Sequence, residues 1–164
     1  MGLQLPGELV TVLNMIGYNW PQADETKLFE MGQKFMNFSG TLTNVATQAN
    51  QTAEQVSAQN SGKDIAAFAN HWGHEDGPAK VLSDGSTAST LVGAGMTIFS
   101  AIVLALKVQV IVQLVTLAIE IAQALATAVV TFGASLAEIP IFQQITQRLV
   151  GMLIDQVINQ LLSA

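Results

Sequence analysis

Between Asp24 and Trp72 the apolar residues recur at alternating intervals of three and four. Leu28, Met31, Phe35, Phe38, Leu42, Val45, Ala49, Thr52 and Val56 trace one face of a helix about eight turns long. The stripe stops at Asn60-Ser61-Gly62, and a shorter helical pattern, Ile65, Phe68, Ala69 and Trp72, begins at once. Two antiparallel helices joined by a tight, glycine-containing turn make an αα-hairpin. Such a hairpin has one wet face and one apolar face, and alone it cannot bury the apolar one. It has to dock on something, and what covers it decides what the chain does.

The flanking segments add helices. Leu5 to Ile16 reads as a short first helix, with Pro6 early, Gly17 just past its end, and Leu9, Val12, Leu13 and Ile16 on its buried side. Asp24 is placed to cap the long helix, with Glu25 in its first turn. Trp20 precedes this cap and is expected to pack on Leu28 as a hydrophobic staple, so that Trp20 and Pro21 set the direction in which the helix starts. Gly62 ends the hairpin crossing, and Asn60 or Ser61 is expected to cap the following helix, which ends near Gly73. His74 to Ser89 begins as a loop, with Pro78 starting a short helix through Leu82. A long apolar helix is expected from about Thr90 to Phe132, with a break near Gly93 and Gly95. After Gly133-Ala134-Ser135 and Pro140, Ile141 to Leu162 reads as an amphipathic helix with Ile145, Leu149, Met152, Leu153, Val157 and Leu161 as its apolar set. Strand alternation is absent from the sequence. The fold class is all-α, an elongated helical bundle with a hairpin region at 1–85 and, packed on it, a long apolar helix plus C-terminal amphipathic helix at 86–164.

Charge narrows the function. Half of the residues are hydrophobic and 11% are charged, against about 25% in an ordinary soluble domain. Much of the surface is therefore expected to be covered. The net charge of −6 and six scattered Lys and Arg residues argue against nucleic acid as a partner, because phosphate binding needs clustered cations. There is no cysteine, hence no disulfide frame. The N-terminal residues show neither a basic n-region nor an apolar h-region of the Sec type. Thirteen charged side chains lie in residues 1–85 and five in 86–164, namely Lys107, Glu120, Glu138, Arg148 and Asp155.

That second half poses a choice. Ser86 to Leu106 is twenty-one residues without a charge, and a spanning helix needs about twenty. Yet eight of them are Ser, Thr or Gly. Beyond Lys107, the residues Gln109, Gln113, Thr116, Glu120, Gln123 and Thr127 form a narrow polar seam at helical spacing. Three readings follow: a central bundle helix, a helix covered by another chain, or residues 86–132 entering a bilayer with the seam facing a pore or partner rods.

Nothing in the sequence assembles a catalytic set. His71, His74, Glu75 and Asp76 are the one cluster with metal-ligand chemistry, but tetrahedral zinc needs three or four convergent ligands and no clear fourth is supplied. The simpler reading is a polar helix end near Gly73, with imidazoles meeting exposed carbonyls. Walker A, nucleophile-elbow and H-E-x-x-H patterns are missing, and Gly93 with Gly95 in an apolar helix points to close helix packing rather than to a phosphate loop. The paired acids Asp24/Glu25 and Glu75/Asp76 fall at helix ends, where dipole and solvent account for them. The expectation is a chain with no catalytic residue, no cofactor and no metal.

Two motifs resemble a known family. Gly62, Phe68 and Trp72 reproduce the spacing G-x5-F-x3-W, similar to the turn and second helix of the WXG superfamily, the small helical-hairpin substrates of type VII secretion; Asn60 stands where that family has the turn tryptophan. Ile16 to Leu28, I-G-Y-N-W-P-Q-A-D-E-T-K-L, resembles the I-G-x-x-W-P-x-x-D-x-x-K-L segment of WXG-like domains that open large actinobacterial channel-and-toxin proteins. The resemblance spans residues 5 to about 132. It implies a non-enzymatic N-terminal targeting domain of a type VII secreted toxin, exported without a Sec peptide to the cell envelope or beyond. The implied partners are small WXG-type helical proteins or a second copy, together with the export machinery. The alternative it implies is a membrane-inserting, channel-forming protein that helps deliver a toxin. The interaction residues it singles out are Trp20, Pro21, Asn60, Gly62, Phe68 and Trp72. The family's Y-x-x-x-[DE] export signal is not matched at Tyr18, which has Gln22 four positions on, whereas Trp72 is followed at that distance by Asp76. That absence points to a heterodimer in which the partner carries the signal.

Overall fold

A computed structural model describes residues 2–131 and 133–162. It is all-α. The helices are α1 (Gly7–Met15), α2 (Glu25–Gln59), α3 (Lys63–Trp72), α4 (Pro78–Thr127) and α5 (Ile139–Leu162), with a short 3-10 turn at Ala134–Glu138 before α5. No strand occurs among the described residues. Phe132, the expected end of the long helix, and the Leu161 side chain lie outside the described set.

α4 differs from the expectation. It is one continuous helix of 50 residues, starting at Pro78 and running without a break through Gly85, Gly93 and Gly95. Pro78 fits the first helical position because its missing N–H has no intrahelical acceptor there. His74 to Gly77 is not helical and Pro78 starts the helix, as expected, but the helix continues past Leu82, where its hydroxyls bond to its own backbone. Thr87, Ser89, Thr90 and Thr97 donate to the carbonyls of Ser83, Gly85, Ser86 and Gly93, four residues back.

The chain forms two compact units, one made of residues up to Lys27 with those from Phe99 onward, the other of Leu28–Ile98. This partition follows packing, whereas a division at residue 85 follows charge. In the first unit α1, the later part of α4 and α5 share an apolar core of Leu9, Leu13, Ile16, Leu106, Val110, Leu114, Leu117 and Val150. α5 turns inward a face rotated from the expected one, with Leu153 and Val157 of the expected set packed against the core. Val150 and Thr146 are buried, while Ile145 and Met152 are exposed. Its apolar residues cover a broad arc, so spacing alone does not set the rotation within that arc.

The second unit is held differently. α2 meets α4 through small and hydroxylic residues. The Ser39 hydroxyl donates to the Ser86 carbonyl at 2.9 Å and contacts the Thr90 hydroxyl at 2.8 Å, and Thr43 reaches the Ser86 hydroxyl at 2.8 Å. Gly32 and Gly93 pass backbone to backbone; a Cβ on either would stand 2.8 Å from the carbonyl oxygen of the other. The expected apolar stripe of α2 is therefore only partly covered: Met31, Phe38, Val45 and Val56 are exposed while Gly32 and Ser39 are buried. Close approach through glycine won over burial of the larger side chains on that face.

Gly93→Ala is expected to force the two helices apart and to cost about 1–3 kcal/mol, as overpacking does. Urea denaturation followed by far-UV circular dichroism measures it. An unchanged midpoint would show that the helices do not approach so closely.

Candidate interaction site

The hairpin comes first. Asp24 caps α2 as its position implies, its carboxylate accepting from the Lys27 amide at 3.0 Å. The Asn60 side chain does not cap α3; it donates backward to the Val56 carbonyl at 2.9 Å and closes the end of α2 instead. The cap of α3 is Gly62, with φ of 132° and no side-chain hydrogen bond. That conformation lies in the region favouring glycine. It also turns the chain so that α3 runs back along α2.

Phe68 and Trp72, four apart on α3, stack with centroids 6.1 Å apart. The Trp72 indole N–H donates to Asn50 Oδ1 on α2 at 2.8 Å. Neither ring belongs to a closed core. Trp72 is half-buried, Phe68 is exposed, and no residue of α3 is fully buried. Together with Asn50, Ala53 and Ser57 they line an open groove of about 480 Å³. A groove with an aromatic floor and a polar rim can accept an apolar side chain from another helix. His71, His74, Glu75 and Asp76 are exposed beyond it. Among the described residues no group of three or more His, Asp or Glu could hold a metal.

Trp20 and Pro21 belong to a different cluster. The Trp20 indole N–H donates to the Leu3 carbonyl at 3.3 Å, and its ring packs against the core of the first unit. The Lys107 ammonium lies 5.8 Å from the ring centroid. Lys107 is 2% exposed, and its ammonium donates to the carbonyls of Leu3 at 3.2 Å and Ala23 at 2.7 Å and to Glu25 Oε2 at 2.7 Å. The other Glu25 oxygen accepts from the Leu3 amide. The Ser100 hydroxyl donates to the Glu25 carbonyl at 2.9 Å. Side chains thus hold both backbone groups of Leu3. Burial works to raise the Glu25 carboxyl, but the Leu3 amide and the Lys107 ammonium outweigh it and hold the group below the usual glutamate range. The Asp24 carboxyl is lowered as well, first by the Lys27 amide.

Sequence reasoning missed Glu25 and Lys107 as a pair. Glu25 was accounted for by the helix dipole, and Lys107 by the end of an uncharged run. The available signal was a single lysine inside an apolar helix, which needs a counter-charge wherever that helix is buried.

The model of the WXG100-like domain matches residues 5–149. The chain belongs to the WXG100-like domain family. No curated protein and no solved structure matches it. The match includes α1 to α4 and the first half of α5, so the hairpin of this WXG100-like chain and the clasp at Lys107 both fall within the family domain. Membership makes it a helical protein related to type VII secretion.

Lys107→Met leaves the Glu25 carboxylate buried without its partner and is expected to cost about 3–5 kcal/mol; the Lys107→Met/Glu25→Gln double variant should recover part of that loss. Equal losses in single and double variants, measured by urea denaturation, would show that the pair is not coupled. Because the folded Glu25 value is depressed, its stabilisation is complete above the ordinary value of 4.5 and is lost as pH falls through the folded value. The melting temperature should therefore fall on acidification below that point, and less steeply in Glu25→Gln. Parallel acid limbs would refute the assignment.

Proposed function

We propose that this chain is the non-enzymatic targeting and interaction domain of a type VII secreted toxin, recognised for export through helix–helix packing of its hairpin with small WXG-type partners. The observation that carries the proposal is the open Phe68–Trp72 groove on the hairpin of a WXG100-like domain. The side chains that line it are fixed by stacking and by the Trp72–Asn50 hydrogen bond, yet are left partly uncovered. A preformed aromatic anchor costs little further ordering when a partner helix arrives. Asn60 and Gly62 serve the groove indirectly, by closing α2 and turning the chain into α3. Trp20 and Pro21 act from the other unit, on the segment that leads into α2.

A second reading, insertion of α4 into a bilayer to form a channel, rests on one observation. α4 is long and apolar enough to span, and 22% of its most apolar window is buried. The Lys107 clasp weighs against it. A spanning α4 would take the ammonium away from Glu25 and two carbonyls and leave a charge within the apolar stretch.

The Phe68→Ala/Trp72→Ala variant tests the export reading. The rings are not enclosed, so the melting curve should shift by much less than the loss for buried aromatics, about 3–5 kcal/mol each. Co-purification with co-expressed WXG-type partners and export by a type VII system should both be lost. Retention of both at wild-type levels would overturn the proposal.

A further inference from the structure

α4 carries a second periodicity that its own bundle does not use. In the unit that includes Phe99 onward, Leu106, Lys107, Val110, Leu114, Leu117 and Ala124 are buried and mark its inner face. At about 100° per residue, the face directly opposite runs from Ala101 to Ala126 in intervals of 4, 3, 4, 3, 4, 3 and 4. Every residue at those positions is apolar and exposed. Val108 is 46% exposed, Val112 54%, Val115 41% and Ile119 52%. Alternation of four and three over more than three heptads is the spacing of a helix that packs lengthwise on another helix.

We infer that this face pairs antiparallel with the same face of a second copy of the chain. The order of side-chain sizes supports this occupant. Two alanines, four β-branched residues and two alanines read the same in either direction. With the two-fold axis between Val112 and Val115, Val112 meets Val115 of the second copy and Val108 meets Ile119. Ala105 then meets Ala122, and Ala101 meets Ala126. A two-fold interface requires this reciprocity, in which residue i meets j and j meets i. Leu104, exposed, stands beside the alanines at the first end of the row, and the two-fold axis would place one such leucine at each end of the pair.

Charge points the same way. From Ala101 to Ala126 the ionisable residues are Lys107, turned inward to Glu25, and Glu120, off the row. An identical copy therefore brings no like charge against the seam, and a charged partner would find nothing to pair with. The row with Leu104 exposes roughly 600 Å² per copy, so a pair that covered all of it would bury about 1,200 Å², the lower bound of a specific interface. The inference is independent of the export reading, since the Phe68–Trp72 groove lies in the other unit.

The chain contains no cysteine, so disulfide trapping reads the pairing directly. In detergent-free buffer, light scattering should give twice the 17.4 kDa mass of one chain. Oxidising a mixture of Ala105→Cys and Ala122→Cys copies should yield a covalent dimer, and oxidising either variant alone should not. Val112→Glu/Val115→Glu should be monomeric with its helical signal intact. Trapping of Ala105→Cys with itself would mean parallel pairing and would overturn the inference. So would a wild-type monomer, a dimer that the glutamates leave intact, or a dimer that gives no disulfide in the mixture. Protein that stays in solution only with detergent and binds liposomes would assign the face to a bilayer, and would overturn it equally.

Discussion

The ammonium of Lys107 sits in the interior of an apolar helix, and the arrangement around it follows from the need to keep that charge paired. A buried ion pair of this kind stabilises little compared with a well-packed apolar substitute, because both ions lose their water. Its effect is on specificity. Of the two lysines in α4, Lys107 is the buried one, and its carboxylate partner is Glu25, the first residue of α2. The pair therefore fixes where the start of α2 lies along α4. The carbonyls of Leu3 and Ala23 take the remaining ammonium hydrogens, and Trp20 closes over the Leu3 carbonyl. The W-P motif thus gains a reason beyond starting a helix: it completes the shell of a buried charge.

α4 is then used in two chemically distinct ways. Its later part contributes Leu106, Val110, Leu114 and Leu117 to a conventional apolar core. Its earlier part offers glycine and hydroxyls, and there α2 approaches until backbones touch and serines share hydrogen bonds across the gap. Such a contact buries little apolar area and relies on dispersion at short range and on satisfied polar groups. The eight Ser, Thr and Gly residues in the uncharged run are the consequence, and they are also why that run is a poor lipid-facing surface.

These two modes explain what the sequence disclosed and what it hid. The hairpin, its turn at Gly62, the Asp24 cap and the all-α class were legible, since each depends on local spacing or on a residue with one strong backbone preference. The continuity of α4 was not, because Gly85, Gly93 and clustered hydroxyls resemble a loop unless the helix they pack against is known. Rotation was also hidden. In α2 the larger side chains mark the most apolar face, yet Gly32 and Ser39 mark the one that α4 covers. In α5 the apolar arc is broad, and its spacing does not say which part of it faces the core. The site was legible in the same measure: the spacing of Phe68 and Trp72 put them on one face of α3, whereas the hydrogen bond to Asn50 and the clasp on Leu3 join residues far apart in sequence.

An apolar helix surface left in water has a free-energy cost of about 25 cal/mol for each Å², and a chain with 11% charged residues has few polar side chains with which to cover it. The polar seam of Gln109, Thr116 and Gln123 borders the outer row of α4 without interrupting it. Polar side chains are confined to one flank of the row, and it carries no charge from Ala101 to Ala126. No contact within the bundle uses this face, so covering it with the same face of a second copy removes apolar surface from water without breaking any internal packing.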